Sequence, residues 1–206
     1  DVWSSADGIT WTQEIATAAF PGRAYHSSLV FNGKMWLIGG DGGTERNDVW
    51  SSLNGITWTQ DSSGAFPVRA FHSNVVFNSK MWIIGGYTGF GYLNDVWSSS
   101  DGVTWTQETS AAAFLARSNA GADVHSGRIW LAGGWRGIVL NDVWSSANGI
   151  SWTTSGSGPF TARDGLSVLT MNARLFVIAG WSGGFTNDVW STVNGKRSVK
   201  SNSHTT

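Results

Sequence analysis

The tripeptide Asp-Val-Trp begins at Asp1, Asp48, Asp95, Asp142 and Asp188, at intervals of 47, 47, 47 and 46 residues. A period of this length is the mark of a stacked repeat, in which one supersecondary unit recurs and buries its apolar faces against its neighbours. Other landmarks keep the same register. Asparagine precedes the aspartate at Asn47, Asn94, Asn141 and Asn187, and a second tryptophan follows at Trp11, Trp58, Trp105 and Trp152. A Phe-x-x-Arg element recurs from Phe20 to Arg23, Phe66 to Arg69, Phe114 to Arg117 and Phe160 to Arg163. After each arginine comes a small pair: Gly39-Gly40, Gly85-Gly86, Gly133-Gly134 and Ala179-Gly180. The units are 1–47, 48–94, 95–141 and 142–187, with a terminal strand at 188–192 and a divergent tail expected to be mobile from 193 to 206.

Within a unit the patterning is that of strands. Ser28-Leu29-Val30-Phe31 and Met35-Trp36-Leu37-Ile38 flank Asn32-Gly33, a type I′ hairpin signal because both turn residues tolerate positive φ. A second hairpin turns through Asp7-Gly8, and later copies use Asn54-Gly55, Asp101-Gly102 and Asn148-Gly149. A three-residue loop would set its two tryptophans opposite each other; a two-residue loop would put them on opposite faces. No amphipathic helical stretch appears, so the chain is expected to be all-β. Four antiparallel strands per 47 residues, repeated, describe the blades of a β-propeller.

Composition narrows the function. The chain has no cysteine, which excludes a disulfide framework, thiol chemistry and the usual zinc-finger ligand sets. A net charge of −1 with scattered basic residues leaves no electrostatic footprint for nucleic acid. No apolar run approaches the roughly 20 residues of a membrane-spanning helix. Abundant Ser, Thr, Gly and Trp without cysteine point weakly to a secreted or cell-surface protein.

The small pair ending a second strand, the variable loop after it, Asn-Asp-Val-Trp on the third strand, a fourth-strand tryptophan and an arginine before the next unit together resemble kelch repeats over residues 1–192. The last unit departs at Ala179 and at Phe176, which stands where Trp36, Trp82 and Trp130 stand. Kelch propellers more often have six or seven blades, so the resemblance leaves two routes open. The four units close on themselves, with residues 1–13 docking on the last inner hairpin, or a second copy completes the ring as a homo-oligomer. Ser5-Ala6-Asp7-Gly8-Ile9-Thr10-Trp11 also resembles the Asp-box of sialidases, one residue shorter between aspartate and glycine. That box is a structural turn in sialidases, so the likeness implies a folding element.

In kelch propellers the loop after the small pair commonly lines the ligand face, and here those loops carry Asp41, Tyr87, Trp135 with Arg136, and Trp181. Loops that vary on a fixed framework are where a rigid scaffold places binding residues. The same resemblance puts Arg23, Arg69, Arg117 and Arg163 near the central channel, where they could meet an acidic ligand. Their presence in every copy favours bracing through backbone carbonyls. The repeated aspartates lack the dense oxygen set of a calcium loop and are expected to cap turns. Twelve of the 14 tryptophans sit at repeated positions, which packing between blades explains. His26 and His72 are equivalent, but Ala120 and Leu166 replace them elsewhere, so no three-histidine metal set forms.

These residues describe a non-catalytic kelch-like scaffold for a protein, peptide or glycan ligand, with no cofactor. Two alternatives stand beside it. One is a carbohydrate-acting propeller enzyme, for which a galactose-oxidase-like tyrosine–cysteine pair is impossible and a sialidase-like set has no positive support. The other is a structural fragment or self-assembling partial propeller without a ligand.

Overall fold

The computed structural model describes residues 1–193 and 196–200, and every described element is a β-strand. A lone hairpin of β1 (Val2–Ser4) and β2 (Thr12–Ile15) comes first. The first four-stranded blade is β3 (Ser27–Phe31), β4 (Lys34–Asp41), β5 (Glu45–Ser52) and β6 (Thr59–Ser63). The second is β7 (Ser73–Phe77), β8 (Lys80–Tyr87), β9 (Tyr92–Ser99) and β10 (Thr106–Thr109). The third is β11 (Gly121–His125), β12 (Arg128–Ala132), β13 (Asp142–Ser146) and β14 (Thr153–Ser157). The fourth is β15 (Ser167–Met171), β16 (Arg174–Trp181), β17 (Phe185–Val193) and β18 (Lys196–Lys200). Each blade is an antiparallel meander in sequence order, so the chain is the four-bladed propeller its period implies. No described helix is long and apolar enough to cross a membrane.

The innermost strands pack in succession, β3 on β7, β7 on β11 and β11 on β15; no comparable packing joins β15 back to β3 among the described residues. The cores lie between blades. Phe31, Trp36, Ile38 and Val49 of the first blade meet Phe66, Met81, Ile83 and Trp105 of the second. Phe77, Trp82, Ile84 and Val96 then meet Phe114, Ile129, Leu131 and Trp152. Alternation along each strand sends odd and even residues to opposite faces, which is why near-continuous apolar runs serve two interfaces at once. Gly102 lies against the indole of Trp36 and Gly149 against that of Trp82, where a Cβ would collide with the ring.

The strand 1–2 turns are type I′ as the sequence implies, with φ of 49° and 72° at Asn32 and Gly33. The strand 3–4 turn differs from both expected forms. Trp50 faces Gln60, and the strands part between Ser52 and Thr59. The cause is a side-chain-capped turn: Ser52 Oγ accepts from Gly55 N–H at 2.8 Å, and Asn54 Oδ1 accepts from Ile56 and Thr57 N–H at 3.0 and 2.9 Å. Trp58 therefore leaves the ladder and donates its indole N–H to the Gly55 carbonyl at 3.0 Å. The same bonds recur around Asp7, Asp101 and Asn148, which makes the Asp-box-like segment a folding element.

Residues 1–13 do not complete the last inner hairpin. β17 pairs with β16 through Val177 opposite Trp190 and Ile178 opposite Val189, so that edge is already taken. Part of the expected tail, Lys196–Lys200, forms the paired strand β18, and residues 201–206 lie outside the described residues. The recurrent indoles are buried where a neighbouring blade covers them, as at Trp36, Trp82, Trp105 and Trp152. Trp3 and Trp11, on the lone hairpin, are about half exposed at 49% and 58%.

Candidate functional site

Each repeated arginine is a buried brace. Arg69 donates through both terminal nitrogens to the two oxygens of Asp95, at 2.8 Å each. It also donates to the Gly85 carbonyl at 2.9 Å and the Pro67 carbonyl at 3.1 Å. Arg23, Arg117 and Arg163 repeat the arrangement with Asp48, Asp142 and Asp188. The backbone of the same residue reaches the preceding blade: Arg69 N–H donates to Arg46 C=O, and its carbonyl accepts from Gly40 N–H, both at 2.9 Å. One residue thus ties its own blade with its side chain and the previous blade with its main chain. Four of the five guanidinium donors are thus taken within the protein at Arg23, Arg69 and Arg117, and all four side chains are almost fully buried, the arrangement of a brace.

The aspartates are corrected, since their partners are guanidinium and indole rather than turn amides. Trp97 donates its indole N–H to Asp95 at 2.7 Å, and Trp50, Trp144 and Trp190 do likewise for their blades. Burial by itself would raise the carboxyls of Asp48 and Asp142, but bonds from Arg23 or Arg117 and from the indole outweigh it and hold both low. At Asp188 the Arg163 hydrogen bond leads, and the carboxyl falls to about 2.

The other candidates share one end of the propeller. There the strand 2–3 loops and the linkers that enter each blade form one face, joined by short bridges: Ala24 opposite Asp41, Ala70 opposite Tyr87, Ser118 opposite Trp135 and Asp164 opposite Trp181. Asp41, Tyr87, Trp135 and Trp181 therefore occupy one backbone position, a single side chain per blade, around the axis. The structure brings Trp135 and Trp181 together edge to face, ring centres 6.1 Å apart. Tyr87 lies 5.3 Å from the Tyr92 ring and donates its hydroxyl to Gly89 C=O. Asp41 caps its own loop by accepting from Gly43 N–H at 2.8 Å. Arg136 is exposed, and its side chain has no hydrogen-bonding partner among the described residues.

The sequence reading missed the inner rim. Tyr25, Phe71 and Asn119 hold left-handed backbone at φ of 55°, 57° and 53°, a cost non-glycine residues seldom bear. The rim is strung together by Phe71 N–H to Tyr25 C=O, Asn119 N–H to Phe71 C=O and Gly165 N–H to Asn119 C=O. Tyr25 and Phe71 stack with centres 4.0 Å apart. These residues and the ones after them enclose a channel cavity of about 230 Å³. Gly165, two residues after its arginine, was the available signal that this register needs positive φ. On the channel wall, burial and then the charges of Arg69 and His26 lower His72 to about 3, and a 2.6 Å hydrogen bond joins its Nε2 to the Ser27 hydroxyl across the blade boundary.

Residues 3–148 match the family model described as the KLHDC2/KLHL20/DRC7 Kelch-repeats domain. A search of curated proteins finds no match. That span covers more than half of the chain and takes in the small pairs, arginine braces and paired sheets of the first blades, and on this ground the chain belongs to the Kelch-repeat family.

Proposed function

We propose that this chain is a non-catalytic interaction scaffold whose strand 2–3 loop face takes up a peptide segment of a partner protein. The observation that carries this reading is the contrast at one repeated position. The strands, small pairs and arginine braces recur from blade to blade, while this position carries an acid, a phenol and two indoles, Asp41, Tyr87, Trp135 and Trp181, around a common channel mouth. The loop tips beyond them are apolar and open to solvent: Phe90, Ile138 and Phe185 are 100%, 64% and 95% exposed. Exposed aromatic side chains clustered on one face favour a protein or peptide surface over bulk water.

Panning the immobilised protein against a random peptide library, with a glycan array in parallel, tests the reading. Selected peptides whose binding falls about tenfold or more in Trp181→Ala, with thermal stability kept, support it. Glycan binding without peptide selection, or turnover of a sugar substrate, would replace it.

A further inference from the structure

The channel-mouth face is not uniform, and one of its carboxylates, Asp164, has no cationic partner and sits on the strand bridge beside two indoles from neighbouring blades. Asp164 lies opposite Trp181 in a two-bond bridge, with N–O distances of 3.0 and 2.8 Å, so their side chains leave on the same side. Trp135 from the neighbouring blade sets its ring edge to face on Trp181 at 6.1 Å. The register position of Asp164 is filled by Ala24, Ala70 and Ser118 in the other blades, each facing its own loop residue, so the carboxylate has no part in the repeated framework. Its hydrogen bonding is poor. Oδ1 has no partner although it is buried, and Oδ2 has only Asn119 Nδ2 at 3.5 Å. The nearest repeated cation, Arg163, is already spent on Asp188, Ala179 and the Thr161 segment. The carboxylates of Asp48, Asp95, Asp142 and Asp188, by contrast, each receive a forked guanidinium and an indole N–H. Burial pushes the Asp164 carboxyl up, the mark of an acid without a compensating positive neighbour.

We propose that Trp135, Trp181 and Asp164 form a subsite for one cationic side chain, an ammonium or guanidinium group, of the bound peptide. Indole faces attract cations more strongly than other aromatic rings do, and a desolvated carboxylate beside them supplies the counter-charge while gaining the donor it lacks. This subsite rests on the peptide-binding reading and sharpens it, because it says what the peptide must carry.

The test uses the full chain and peptides selected on it. Peptides are expected to share a Lys or Arg at one position, and replacing that residue by norleucine should weaken binding about tenfold. The penalty should vanish in Asp164→Asn and in Trp181→Ala, while both variants keep the wild-type melting temperature. A second probe, lysine amide titrated against norleucine amide, should shift the indole N–H resonances of Trp135 and Trp181 only for the cation. Selected peptides with no cationic position, or a norleucine penalty that persists in Asp164→Asn, overturn the subsite and leave peptide binding standing. Failure to select any peptide overturns the binding reading, and an absent indole shift with lysine amide then removes the subsite with it.

Discussion

Arg69 and Asp95 are both almost fully buried, and at this depth an ion pair persists only if hydrogen bonds answer most of its donors and lone pairs. The fork, the Gly85 and Pro67 carbonyls and the Trp97 indole answer them. Removing one partner strands the other, so Arg69→Ala or Asp95→Ala should each cost about 3–5 kcal/mol in denaturant unfolding. Arg69→Lys should recover only part of this, since an ammonium cannot reproduce the two parallel bonds. His72 sets a different expectation. Its pKa is about 3 in the fold against 6.5 for a free side chain, so between those values the unfolded chain binds the extra proton. Stability should therefore fall as pH drops from about 6.5 toward 3, with a further loss below 3.8 as Asp188, held near 2, begins to protonate in the unfolded chain. Melting curves of His72→Gln against wild type from pH 7 to 4 check this; a slope equal in both would remove His72 as the cause.

At the scale of the element, glycine does two different jobs in the turns. At Gly149 a side chain would meet both a φ of 77° and the Trp82 indole of the neighbouring blade, so Gly149→Val should cost about 3 kcal/mol or more and loosen the second and third blades from each other. The I′ turn at Asn172-Ala173 has the opposite defect. Ala173 is held at φ of 56° where the first blade has Gly33. Ala173→Gly should therefore stabilise the protein, by about 1 kcal/mol, a direction that thermal unfolding reads directly. The small pair adds a contrast. A Cβ at Gly39 would lie 2.8 Å from the Arg69 carbonyl of the next blade, whereas Ala179, at φ of 54°, lies in the fourth blade, which no further blade follows among the described residues.

Across the whole molecule, stability should be graded by how many neighbours a strand has. Trp82 is buried between two blades, and Trp82→Ala should cost about 3–5 kcal/mol. Trp3 and Trp11 lie on a hairpin without a four-stranded sheet, and alanine at either should change global stability by about 0.5 kcal/mol. Hydrogen exchange should show the same gradient, with amides of β1 and β2 opening long before those of β8 and β12. Equal protection of β1 and β8 would contradict it.

The repeat made strand order, blade number, the I′ turns and the interblade indoles legible in the primary structure, because each depends on spacing within about 47 residues. It also located the loop position shared by Asp41, Tyr87, Trp135 and Trp181. What a repeat hides is which of its equivalent residues meet. Arg69 and Asp95 stand 26 residues apart, and nothing in that interval says that a guanidinium fork, a carbonyl and an indole converge on one carboxylate. Packing answered that, and buried the four guanidinium groups within their own blades. Packing alone likewise brought Asp164 beside Trp181, stacked Tyr25 on Phe71 and let β17 fill the edge that residues 1–13 would take on one of the two routes the repeat left open. Periodicity specifies a strand's partners along the chain, whereas saturation of buried charge and competition for a sheet edge are settled only once the blades stand side by side.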